Sequence, residues 1–65
     1  MENAPFITIA RLSTGKFYVN LIEWNKYQEA YTVTRTCDSG GFKSKIIAWQ
    51  YAVEWAKQQQ LEFRP

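Results

Sequence analysis

The chain has 65 residues, a formal net charge of +2, one Cys and no His. This excludes a second domain, an internal disulfide and any histidine-based metal or acid–base centre. The small positive charge also falls short of the basic excess that announces nucleic-acid binding by itself.

In chain order, FITIARL (6–12) and FYVNLIEW (17–24) are β-branched and aromatic runs separated by STGK (13–16). A two-residue Thr14-Gly15 turn fits the gap, with glycine supplying the positive φ of a tight hairpin. That register sets Leu12 opposite Phe17, Ala10 opposite Val19 and Thr8 opposite Leu21. It puts Ile7, Ile9, Arg11, Tyr18, Asn20, Ile22 and Trp24 on the other face. After the polar NKYQEA, the run YTVTRTCD (31–38) alternates Tyr31, Val33 and Cys37 with Thr32, Thr34 and Thr36. This is the pattern of a half-buried strand, and Arg35 marks it as an edge.

The period then changes. From Ser44 to Gln59 or Gln60 there is no Gly or Pro. On a helical wheel Ala48, Ala52 and Ala56 form a line flanked by Trp49 and Trp55, while Gln50, Glu54, Lys57 and Gln58 share the opposite side. This is an amphipathic helix whose small residues permit close approach to a sheet. Ser44 is its N-cap. Ile47 occupies the position where a Glu or Gln would complete a capping box. The tail LEF (61–63) either returns to the sheet edge or frays, and Pro65 ends it.

These elements make one α+β domain over residues 1–65, with fraying expected at 1–5 and 64–65. A three-stranded antiparallel meander sheet packs on one C-terminal α-helix (β-β-β-α), with a short terminal strand as an option. A chain this short buries only about 60% of the surface its unfolded form exposes. With no cross-link available, burial falls to the three Trp, four Tyr and four Phe, or to a partner. No apolar run approaches the ~20 residues that span a bilayer. MENAPFITIARL lacks the pattern of a secretory leader, so a cytoplasmic location is expected.

One helix covers one sheet face, so the other face is exposed and is the expected place for a partner. On the register above, Arg11, Tyr18, Asn20, Trp24, Thr32, Thr34 and Thr36 point outward there. Arg, Asn and Thr hydrogen-bond base edges, and a strand ribbon fits a major groove. Tyr and Trp stack on unpaired bases. Threonines on an outer face are equally ordinary strand formers, and an aromatic face also suits a protein partner.

The stretch DSGGFKSK (38–45) looks like a phosphate loop. However, its adjacent glycines and its Lys43-Ser44 order do not reproduce the spacing by which a P-loop wraps phosphates. It reads as a strand-to-helix turn. Lys43, Lys45 and the amides of a helix start remain suited to one phosphate contact.

GGFKSKIIAWQYAVEWA resembles the C-terminal half of a double-stranded-RNA-binding domain, in which a Gly-containing turn precedes Ser-Lys-Lys-x-Ala-Lys and an Ala-rich helix. Ser44, Lys45, Ala48 and Ala52 match that spacing. Ile46 and Trp49 stand where the family has phosphate-binding lysines, and its first helix has no counterpart. The layout over residues 6–60 is also similar to AP2-type and integrase arm-binding domains, whose three-stranded sheet enters the DNA major groove. Both resemblances imply nucleic-acid binding.

Catalysis is not expected. The acids form no evident pair, and Cys37 has no histidine to act as its base. No cofactor or metal is expected. The reading is a small non-enzymatic module that binds nucleic acid, DNA before RNA, through the exposed sheet face. Its contacts are Arg11, Lys16, Tyr18, Asn20, Trp24, Thr34, Lys43 and Lys45. The alternative is a protein-binding adaptor or inhibitor of phage or mobile-element type, anchored by Tyr18, Ile22 and Trp24 or by Ile47 and Tyr51, with a homodimer as its variant.

Overall fold

The computed structural model describes residues 3–37 and 40–65. Asp38 and Ser39, the first residues of DSGGFKSK, lie outside the described residues, as does the expected extension of the third strand to Asp38. Strands β1 (Phe6–Arg11), β2 (Phe17–Asn25) and β3 (Ala30–Thr36) are followed by helix α1 (Lys45–Gln59) and strand β4 (Glu62–Phe63). β1, β2 and β3 form the expected antiparallel meander, and β4 adds in parallel to the free edge of β1, giving the order β3-β2-β1-β4. No helix among the described residues is long and apolar enough to cross a membrane.

The hairpin register differs from the expected one by a single residue. Leu12 N–H donates to the Lys16 carbonyl at 2.9 Å, and Gly15 N–H donates to the Leu12 carbonyl at 2.9 Å. The loop is therefore the three residues Ser13, Thr14 and Gly15, closed by Gly15 at φ 85°. Three-residue hairpin loops end on such a left-handed residue, whereas the expected two-residue turn does not need the third. Ile7 pairs with Leu21, Ile9 with Val19 and Arg11 with Phe17. Because side chains alternate with period two, this slip exchanges the faces of β1. Ile7, Ile9 and Arg11 lie on the helix side with Phe17, Val19 and Leu21. Phe6, Thr8 and Ala10 lie on the open side with Tyr18, Asn20, Ile22 and Trp24.

β3 carries a bulge. Leu21 pairs with Arg35 and Ile22 with Val33, so Thr34 is the extra residue. A bulge interrupts the alternation and twists the strand. Beyond it Cys37 turns into the core, where its Sγ accepts from Val19 N–H at 3.5 Å. Before it, Tyr31 and Val33 face the open side opposite Trp24 and Ile22.

The core is thin. Ile7, Val19, Leu21, Cys37, Ala48, Ala52 and Ala56 form it, with Ile9, Phe17, Phe42, Trp55, Leu61 and Phe63 packed around. Ile7 and Val19 are its largest fully buried side chains. The alanine line does what its small size permits: α1 lies flat across β1, β2 and β4, and among the described residues it does not reach β3. The two tryptophans flank that line. Trp49 meets Phe63 edge-on at 5.0 Å, and Trp55 meets Tyr51 at 5.9 Å.

Ser44 caps the helix, its hydroxyl accepting from Ile47 N–H at 3.4 Å. At the other end Gln60 is left-handed (φ 57°), with Leu61 N–H donating to the Ala56 carbonyl at 2.8 Å and Gln60 N–H to the Lys57 carbonyl at 3.2 Å. This is a Schellman closure, with Leu61 packed back on the core near Ala56. It returns the tail to the sheet. Arg64, expected among the fraying residues, donates its N–H to the Ile7 carbonyl at 2.8 Å.

Candidate functional site

The expected contact residues divide between two surfaces. Tyr18, Asn20 and Trp24 lie on the open sheet face. Lys16, Lys43, Lys45 and Arg11 lie at the end of the molecule where the hairpin loop meets the helix start. Thr34 belongs to neither. At the bulge its hydroxyl donates to a Glu23 carboxylate oxygen at 2.7 Å, on the helix side of the sheet beyond the helix's cover. Thr32 takes the same side, paired with Glu23. The placement of Arg11, Thr32 and Thr34 on the open face is thus corrected. The hairpin slip moves Arg11, and the alternation across the bulge moves Thr32 and Thr34.

What remains on the open face is largely apolar. Ile22 sits at its centre, only 9% exposed yet separate from the main core cluster. Around it, Tyr31 packs edge-on against both Phe6 (5.3 Å) and Trp24 (5.2 Å). Val33, opposite Ile22 on β3, is 56% exposed. The Thr36 hydroxyl donates to Asn20 Oδ1, which occupies the acceptor of the Asn20 amide. At the rim, the Arg64 guanidinium lies 4.4 Å from the centre of the Phe6 ring and pairs with Glu62 at 3.1 Å. Both partners are well exposed, so the pair itself contributes at most about 1 kcal/mol. Phe6, Tyr31, Val33 and Arg64 were not expected here. A hairpin slip of one residue, a bulge and a parallel tail place them, and no local pattern in the sequence announces any of the three.

The second surface is cationic. Phe17 and Phe42 form a two-way backbone bridge, Phe17 N–H to Phe42 O at 2.7 Å and Phe42 N–H to Phe17 O at 2.8 Å. The bridge brings together chain segments that are distant in sequence. Lys16 precedes Phe17, Lys43 follows Phe42, and Arg11 pairs with Phe17 with its guanidinium 5.9 Å from the centre of that ring. Arg11 and Lys45 line one hollow of about 290 Å³, floored by Ile9, Phe17 and Trp49. Among the described residues none of these cations has an acidic partner within salt-bridge distance. The N-terminal turn of α1 contains no acid and adds the positive end of its dipole.

Gly41 holds the two surfaces in register. Its φ is 100°, and a Cβ there would strike the Tyr18 ring. Tyr18 thus closes over bare backbone at the boundary between the open face and the cationic end.

One more feature departs from the expected helix. Ile46 is 70% exposed, and Ile47 and Trp49 are also exposed. Lys45, Ile46, Trp49 and Gln50 line a shallow apolar hollow of about 430 Å³. The exposed side of the helix is therefore mixed, with Ile46, Ile47, Trp49 and Tyr51 among the polar Gln50, Glu54, Lys57 and Gln58. Comparison of this chain with protein families, with curated proteins and with solved structures finds no match.

Proposed function

We propose that this chain is a small binding module that holds a nucleic acid by its phosphate backbone, with duplex DNA the first substrate to test. The contact surface in this reading is the cationic end, not the open sheet face. One observation carries it: the Phe17–Phe42 bridge gathers Arg11, Lys16, Lys43 and Lys45 at one end of the molecule, with no acidic partner among the described residues. Clustered cations beside a helix start suit phosphates, because each neutralised phosphate releases condensed counterions. Without a base-reading array beside them, the binding is expected to be weakly sequence-dependent.

The test is a salt titration of binding to duplex DNA, single-stranded DNA and double-stranded RNA. Contacts to three or four phosphates give a slope of log K on log salt of about −3 to −4 for a duplex. Replacing Lys16, Lys43 and Lys45 together by Gln should reduce that slope to about −1 and weaken binding at low salt by more than about tenfold. Absence of binding to all three nucleic acids at low salt overturns the reading. A second reading, a protein contact, is favoured by the exposed Tyr31 and Val33 on the open face.

A further inference from the structure

We propose that the open sheet face is the docking surface for a second copy of this chain, giving a two-fold dimer with the sheets back to back. The face is apolar at its centre, with Ile22 walled by Phe6, Trp24, Tyr31 and Val33. Its rim carries Glu62 and Arg64, one of each sign and paired with each other, and Lys16 beside Tyr18 at the hairpin end. A two-fold axis brings a surface against itself, so a surface of one sign repels its copy while a mixed rim does not. That excludes the cationic end as the self-contact. It also disfavours a polyanion at the centre of the sheet face, where the residues are apolar and Arg64 at the rim is already matched by Glu62.

Size and need agree. The molecule measures 33 × 25 × 18 Å, so a broad face spans at most the roughly 800 Å² per partner of a standard interface. Among the described residues the monomer core has only Ile7 and Val19 as large, fully buried side chains, and the lone Cys37 provides no internal cross-link. Oligomerisation is one of the means by which domains below about 70–80 residues supplement a small core. Stacking two open faces gives Ile22, Phe6 and Tyr31 the second layer that the helix gives Ile7 and Val19. The sheet edges are poor alternatives. β3 is bulged at Thr34, and β4 has two residues, both features that blunt edge pairing.

The test is sedimentation equilibrium of the full chain over a concentration series, with the unfolding midpoint measured in parallel. The expected result is twice the mass of one chain at high concentration and a midpoint that rises with concentration. Val33→Glu should give a monomer whose midpoint no longer depends on concentration. Val33→Thr keeps the β-branched shape and should weaken association several-fold without loss of fold. Ile46→Glu, on the helix, should leave the dimer intact. A wild-type chain that stays monomeric up to high concentration overturns the proposal. So does a dimer that Ile46→Glu breaks and Val33→Glu does not, or a Val33 amide signal that moves on adding duplex DNA but not with protein concentration.

Discussion

The two faces of the sheet are made by the same strands and are both apolar, yet they are built on opposite plans. On the covered face the helix contributes Ala48, Ala52 and Ala56 to the buried cluster, with Trp55 at its margin, and the strands supply the larger residues Ile7, Val19 and Leu21. On the open face no helix or strand packs among the described residues, and the large rings of Phe6 and Trp24 each meet Tyr31 edge-on. Small residues bury a face by admitting a neighbour, whereas large ones bury a face only by shielding what lies under them, here Ile22. The difference is clearest in two β-branched residues: Ile7 is fully buried and Val33 is 56% exposed. Ile7→Ala should cost about 2–5 kcal/mol, much of the stability of a small domain. Val33→Ala, measured at high dilution, should cost less than about 1 kcal/mol. Urea unfolding of both variants checks the pair. Equal costs at high dilution would mean that the monomer buries its two faces alike.

A change of intermediate size acts where the open face meets the cationic end. Gly41→Ala should destabilise by about 2 kcal/mol, combining a backbone conformation unfavourable to L-residues with a collision against the Tyr18 ring. A double-mutant cycle with Tyr18→Ala separates the causes. If the ring is responsible for part of the cost, Gly41→Ala becomes milder by about 1 kcal/mol in the Tyr18→Ala background. An unchanged cost assigns it to φ and to the close Lys16 Cβ.

Much of this architecture was legible in the sequence because it rests on local signals. The alanine line of α1, the Ser44 cap, the change from period two to helical period and the flanking tryptophans all depend on neighbours a few residues apart. The assignment of side chains to faces was less legible. A hairpin loop of two or three residues is decided by whether Gly15 closes the turn, and STGK accommodates either. Yet that one residue moves Ile7 and Ile9 into the core and takes Arg11 off the open face. The bulge at Thr34 is set by the fit between β2 and β3, and YTVTRT alternates equally well without it. The tail needed a parallel partner, and only the finished helix delivers Leu61 and Phe63 to the edge of β1. For the candidate surfaces, Lys16, Lys43 and Lys45 were visible as residues. Their convergence with Arg11 depends on the long-range Phe17–Phe42 bridge.

The smallest effect concerns the point where the chain divides itself between the two faces. After the helix, Leu61 and Phe63 go to the covered side, Phe63 meeting Trp49, while Glu62 and Arg64 go to the open side, Arg64 lying over Phe6. Gln60 sets that division by adopting φ 57°, a conformation that costs a non-glycine residue about 1–2 kcal/mol. Gln60→Gly removes the cost but gives the unfolded chain more freedom, so the expected gain is only about 0.5–1 kcal/mol. In a domain this small, that raises the thermal midpoint by a few degrees. The gain should be present at every protein concentration, because the cap lies within one chain. The contribution of the open face, by contrast, should grow with concentration. A Gln60→Gly variant with a lower midpoint would mean that the Gln60 side chain itself holds the tail, and that the cap's backbone geometry is not what directs Leu61 and Phe63 to the covered side.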